Sequence, residues 1–346
     1  MRTYFSMLFI LLGVLIVPDK LQAQADDNAW KYMNDIFSTV ENSKNETWAY
    51  LKAVTRGKGA RKVENKRQEL IVEVWNAKYA VQRIRKITPD DSLKSTVVNY
   101  LSLSYTILRE DFDKILDMED IAEQSYDLME AYLLAKEQAN DKVNAAFDEM
   151  IVAQKAFASR YDINLVEGDS DKTSERISRA SETLKYYNEL YLIFFKSYKQ
   201  EIYVMDAMMR NDLSAFEQNT STLLSYSSEG LEKADTIRGL REDSELKLQL
   251  QKILRFYKNE AEEGFPVTTD FYMKKDNFEK ISKNFESIKS RDRTQQDIDT
   301  YNEAVATYNQ AVNESNEVLE SNNKERKKSL KEWNKAVESF FNRHSK

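Results

Sequence analysis

The feature that most restricts this chain is the rhythm of its apolar residues, which recur at spacings of three and four from Trp30 almost to Phe340. That is the repeat of one face of an α-helix, and nothing alternates at period two for long enough to make a sheet. Turn formers are correspondingly scarce. The 346 residues include only 7 Gly and 3 Pro, against rough averages of about 7% and about 5% of a chain. Few turn formers mean few turns and long elements. Charged residues make up 32% and apolar ones 41%, a balance that suits long amphipathic helices, which cover much surface per residue. The expected fold is all-α: elongated antiparallel bundles of long amphipathic helices.

The pattern predicts helices over about 27–56, 60–86, 88–116, 118–161, 173–210, 213–237, 243–263, 269–289 and 294–342. Polar Lys44 and Thr47 interrupt the apolar stripe of the first. Thr88-Pro89-Asp90-Asp91 reads as a helix start, with Thr capping, Pro at the first helical position and acids at the positive helix end. Asp162–Asp171 is the clearest interior loop and suggests two halves, 26–165 and 166–346, or one continuous domain. Gly264-Phe265-Pro266 reads as a sharp turn. The last helix is coiled-coil-like, with a heptad seam of Ile298, Tyr301, Val305, Tyr308, Val312, Ser315 and Leu319. Asn322 and Arg326 continue that phase with polar residues, and Leu330, Trp333, Val337 and Phe340 resume it shifted by one residue. Tyr301-Asn302 and Tyr308-Asn309 form a short internal echo.

Residues 1–25 have the three parts of a secretory signal peptide. Arg2 supplies the positive start, Leu8–Val17 the apolar run, and Ala23-Gln24-Ala25 the small residues of a cleavage site. Cleavage is expected after Ala25, or alternatively after Ala23. The run is shorter than the roughly 20 apolar residues of a spanning helix, and Pro18, Asp19 and Lys20 follow it. No second such run exists, so the mature chain is expected in an extracytoplasmic compartment without a transmembrane span.

The residue inventory removes several chemistries. With no cysteine, disulfides, thiolate nucleophiles and Cys-ligated metals cannot form. The only histidine is His344, so neither a Ser–His–Asp triad nor a multi-His metal site can be built within the chain. A formal charge of −7 argues against a general nucleic-acid binder. Acidic runs such as Glu110–Asp113 and Asp117–Asp120 lack calcium-loop spacing and read as solvated helix faces. No catalytic residue, cofactor or metal ligand is assigned.

Two features remain as candidate binding sites. The first is the basic turn Arg56–Lys62, where Lys58, Arg61 and Lys62 could meet an anionic polymer or headgroup; its glycine spacing does not fit a phosphate loop, and a solvated interhelical turn is the blander reading. The second is an aromatic face on which Tyr187, Tyr191, Phe194 and Tyr198 align, with Tyr186, Phe195 and Tyr203 spread around the helix. Such a face could line a ligand pocket, but helical spacing alone accounts for a core stripe.

Several stretches, Gly57–Glu64, Ile121–Asp127, Tyr191–Glu201 and Trp333–Glu338, resemble an uncharacterised family of exported, all-helical bacterial surface proteins. The resemblance covers most of the mature chain. It implies a surface or periplasmic location and supplies no activity and no catalytic residues. The leading expectation is an exported structural or interaction protein that offers helix faces to an unknown protein or envelope polymer. A periplasmic ligand-binding module using the aromatic face is the alternative, and a carboxylate-based hydrolase ranks last. Oligomeric state stays open, because a heptad seam pairs within one chain or between two.

Overall fold

The computed structural model describes residues 27–56, 60–87, 90–111, 122–166 and 172–344, together with the backbone of 17–18. Among these the protein is an all-α helical bundle. The helices are α1 Asp27–Thr55, α2 Ala60–Arg83, α3 Ser92–Thr106, α4 Tyr126–Arg160, α5 Lys172–Met209, α6 Leu213–Thr236, α7 Glu245–Asn259, α8 Phe265–Ser287 and α9 Gln295–His344. The extended backbone with a ladder partner is one antiparallel pair, β1 Val17–Pro18 against β2 Leu165–Val166. The rest of the expected signal segment, including Ala23 and Ala25, and also Lys58, Thr88 and Pro89, lies outside the described residues.

The chain forms two compact units. Unit 1 is Met1–Glu189 with Glu338–Lys346, and unit 2 is Leu190–Val337. The division at 189/190 falls inside α5 and not at the Asp162–Asp171 loop. The reason lies in what turn residues encode. Asp162 takes a positive φ of 50° and marks where the chain changes direction, but Thr183, Tyr186 and Tyr187 of α5 pack with the segment around Phe340, which the loop's local chemistry cannot foretell.

In unit 1, α1, α2, α3 and α4 pack in sequence order, α1 on α2, α2 on α3 and α3 on α4. Their stripes supply the core: Ile36, Val40 and Leu51 from α1, Leu70 and Val81 from α2, Val97 and Leu101 from α3, Met129 and Val143 from α4, all buried. Burying each such side chain contributes roughly 1.5–3 kcal/mol. Rings fill the gaps, with Tyr100 against Phe147 at 5.8 Å and Tyr32 against Phe157 at 5.7 Å. Two predicted boundaries move. Helix α4 begins at Tyr126 and not near Met118, because Ser125 caps it and accepts from Leu128 N at 3.2 Å. Helix α3 begins at Ser92, whose N–H donates to Asp90 Oδ1 at 2.9 Å.

In unit 2, Asn211 at φ 55° turns the chain and Asp212 caps α6, accepting from Ala215 N at 3.0 Å. Helix α6 packs on α7, whose Leu246, Leu250, Ile253, Leu254 and Tyr257 are buried at helical spacing. Gly230 lies where α5, α6 and α7 converge: a Cβ there would sit 3.1 Å from both Ile193 Cγ2 and Leu254 Cδ1. The sharp turn expected at Gly264–Pro266 is absent. The backbone instead passes through a π-helical turn, Glu260–Gly264, and continues directly into α8. Pro266 fits because the first helical turn needs no intrahelical N–H from it. Helix α9 opens with a reciprocal cap at the predicted place: Thr294 Oγ1 accepts from Asp297 N at 3.2 Å, and Asp297 Oδ2 accepts from Thr294 N at 2.8 Å.

Candidate functional site

Unit 2 carries two linked features, a helical hairpin made by α8 and α9 and a buried charge cluster at its root. The hairpin forms because both helices present aromatics at seven-residue spacing, Phe271, Phe278 and Phe285 on α8 and Tyr301 and Tyr308 on α9. The rings stack in register: Phe285 on Tyr301 at 4.5 Å and 12°, and Phe278 on Tyr308 at 4.9 Å and 9°. Ala304, Ala311 and Ser315 are the fully buried positions of this part of α9. Tyr301, Tyr308 and Ser315 of the expected seam thus hold their places, while Ala304 and Ala311 take those expected of Val305 and Val312. Bulky rings fill the α8–α9 interface, so small residues fit beside them, and Val305, Val312 and Leu319 stay half-exposed. No residue from 269 to 303 is fully buried. Met273 remains 61% exposed and Ile298 37%.

At the root, α5, the π-turn and α9 meet around Arg326. Its Nε donates to Glu201 Oε1, its Nη2 to Glu260 Oε1 and its Nη1 to Asn323 Oδ1, with Met205 Sδ 3.7 Å from Nη2. The side chains of Glu201 and Glu260 are 3% and 0% exposed, and that of Arg326 13%. One guanidinium cannot neutralise two carboxylates, and a net buried charge is costly. The acids resolve this by sharing a proton. Burial, then the negative field of Glu201, pushes Glu260 up to about 9, against the opposing pull of Arg326. Burial raises Glu201 as well, though Arg326 and the proton donated by Glu260 hold it down. Arg326 itself is held above its ordinary value, the two acids outweighing its burial. Both acids are thus pushed above the ordinary carboxylate range, and at neutral pH Glu260 is a carboxylic acid beside the guanidinium, which relieves the excess negative charge.

The surroundings are polar and incompletely paired. Tyr257 OH, Thr268 Oγ1 and Ser329 Oγ are buried without a hydrogen-bond partner. The Tyr257 hydroxyl is pushed well up by burial and by Glu201. Asn322 Nδ2 is also unpartnered and presses on Gly264, where a Cβ would collide with it. The absent side chain lets the π-turn approach α9, as such turns at special sites often do. Chemically, the cluster can hold and release one proton and can clamp three chain segments. A glycosidase pair needs its carboxyls about 5–9.5 Å apart with substrate between them. Here both acids grip one buried guanidinium, which leaves no place for a glycosidic bond.

The predicted binding residues are placed as follows. Arg61 and Lys62 are exposed on the first turn of α2. The aromatic face lies on one helix, α5, across the division of the units: Tyr187 belongs to unit 1, Tyr191 and Tyr198 to unit 2. Tyr187 packs on Phe341 at 5.0 Å and Tyr186 on Phe340 at 5.5 Å. Tyr191 packs on Phe195 at 5.8 Å, Phe194 on Trp333 at 4.7 Å, and half-buried Tyr198 on Phe194 at 5.4 Å. Tyr187 and Tyr191 are buried, so these rings serve as core. The lone His344 lies 4.8 Å from the Phe340 ring, and its carbonyl accepts from Thr183 Oγ1 at 3.2 Å. Sequence reasoning missed Glu201 and Glu260; its one signal for this site was the pair of polar residues, Asn322 and Arg326, standing in the apolar phase of α9.

Among the described residues, no group of three or more His, Cys, Asp or Glu side chains is placed to hold a metal ion, and no helix is long and apolar enough to cross a membrane. Comparison with protein-family models, with curated proteins and with solved structures found no match.

Proposed function

We propose that this is an exported structural or interaction protein that presents its α8–α9 hairpin to a protein or polymer of the cell envelope. The observation that carries the reading is the hairpin surface. Residues 269–303 include no fully buried side chain, yet they hold stacked aromatics and the exposed Met273 and Ile298. An element that buries so little of its apolar surface on its own chain is suited to burying it on another. Charge adds polarity to the surface. Residues 272–293 carry seven Lys and Arg against four acids, whereas 294–323 carry six acids and no Lys or Arg. Export is supported by the signal-like segment Arg2–Ala25 and by the resemblance to exported surface proteins.

Cell fractionation and retention from envelope extracts test this together. The mature chain is expected outside the cytoplasm, and immobilised it retains a specific protein or polymer that Lys280→Glu/Lys283→Glu releases. Mature protein confined to the cytoplasm, or no enrichment over a scrambled helical control, overturns the reading.

A further inference from the structure

Helix α9 has a second organised face that its own chain leaves half open. Ile298, Val305, Val312 and Leu319 recur every seven residues, and none is fully buried. Four residues on from each stands an asparagine, Asn302, Asn309, Asn316 and Asn323, all exposed. Positions four apart lie on one face, so an apolar column and an amide column run side by side over about 38 Å, at 1.5 Å per residue. The six acids of this stretch, Asp297, Asp299, Glu303, Glu314, Glu317 and Glu320, all fall outside both columns.

Solvation alone does not account for this arrangement. A solvent-facing stripe in a chain that is 32% charged carries Lys and Glu. Asparagine is a poorer helix former than either, by several tenths of a kcal/mol per residue. What the face does offer is self-complementarity. An amide both donates and accepts, so an asparagine column pairs with a copy of itself, whereas a column of one charge would repel its copy. A two-fold axis across the helix lays each column beside the same column running the opposite way. The Ile/Val/Leu stripe then closes on its own copy, with no charge trapped beneath it. Two hairpins so joined make a four-helix bundle, which covers the aromatic seams that a two-helix hairpin leaves half exposed.

We infer that a second copy of this chain docks antiparallel on α9 through Ile298, Val305, Val312 and Leu319 and the flanking asparagines, to form a two-fold dimer. The inference rests on the reading of the hairpin as an interaction element and names one partner for it.

The test uses the full mature chain in sedimentation velocity from about 1 to about 100 µM, concentrations at which dimers of this interface class populate. A dimer is expected, and Val305→Glu/Val312→Glu shifts its dissociation constant at least about 100-fold, the scale of a buried charge pair facing its own copy. The cysteine-free background makes cross-linking independent of whether that variant folds. Asn309→Cys and Asn316→Cys are oxidised singly and mixed; a covalent dimer appears in at least one of the three preparations. Glu303→Cys, on the opposite side of α9, yields none. A monomer at the highest concentration overturns the inference, as does a dimer indifferent to Val305→Glu/Val312→Glu or equal cross-linking at position 303. A monomer that still retains an envelope partner sinks the dimer alone, whereas a dimer that retains none sinks the envelope reading alone.

Discussion

Two buried arginines show how the units handle an inward charge differently. In unit 1, Arg67 is paired locally: Nε and Nη2 each donate to Glu64 at 2.8 Å, one helical turn away, and Nη1 donates to the Leu108 carbonyl at 2.6 Å. The Glu64 carboxylate is 40% exposed, so water shares the burden. In unit 2, Arg326 takes its ionic partners from across the fold, Glu201 and Glu260 lying 125 and 66 residues away, while Asn323 of its own helix accepts from Nη1; both acids are sealed from solvent. The first arrangement forms as α2 forms and needs only one carbonyl from the π-helical turn Ile107–Asp111 that follows α3. The second exists only when three segments have assembled, and there Glu260 retains its proton. A charge paired within its own helix is a feature of the helix; a charge paired across a unit reports on the whole unit.

The largest expected effect comes from breaking the long-range cluster. Arg326→Met should cost unit 2 about 3–5 kcal/mol, because it strands two buried acids, and the loss is read from the urea midpoint. Replacing all three partners together, Glu201→Leu/Glu260→Leu/Arg326→Met, should recover most of it; a triple variant as weak as the single would show that volume and not charge governs the site. Arg67→Met should cost less, about 1–3 kcal/mol, chiefly from the orphaned Leu108 carbonyl, since Glu64 turns to water. Equal losses at Arg67 and Arg326 would erase the contrast.

The next effect is a pH dependence. Glu260 is protonated in the folded state up to about 9, whereas the unfolded chain releases that proton near the ordinary value of about 4.3. Between these values the folded state binds more protons, so stability falls as pH rises. The contribution is whole below the unfolded value and gone above the folded one. The thermal midpoint of unit 2 should therefore drop from pH 5 to pH 9, and Glu260→Gln, which keeps the amide neutral, should flatten the curve; an unchanged slope in that variant would refute the shared proton. Below pH 4 the opposite trend takes over through groups such as Asp90, held down to about 2 chiefly by hydrogen bonds from Ser92. The smallest effect is expected at the exposed Lys280–Asp276 pair on α8: Lys280→Ala should change stability by no more than about 0.5 kcal/mol, as read from the same urea midpoint.

Much of the fold was legible because helices announce themselves locally. The Asn211–Asp212 turn, the start of α9 at Thr294 and the all-α class follow from capping chemistry and period. The polar residues that break apolar stripes were legible too, and they face inward: Lys44 and Thr47 in α1 are buried, and Arg326 and Asn322 in α9 are half-buried. What the sequence could not show was the company they keep. Glu201 and Glu260 are two among 58 acids, and no local rule singles them out at such separations. The π-turn at 260–264 also escaped, since a 3.6-residue period has no place for one turn of different pitch, and Gly264 with Pro266 imitated a chain reversal.

The division of the chain sets an order of events. Glu338–Lys346, which belongs to unit 1, is made only after all of Leu190–Val337. Its Phe340 and Phe341 are buried, against Tyr186 and Tyr187. At about 5–20 residues per second, the ribosome needs roughly 7–30 s to produce the intervening unit. For that interval unit 1 stands unfinished, its Tyr186 and Tyr187 waiting for partners not yet synthesised. The nascent protein therefore keeps one sticky, protease-accessible patch until its last helix has nearly emerged, which is the window in which a holding chaperone or an export apparatus would find it still incompletely folded.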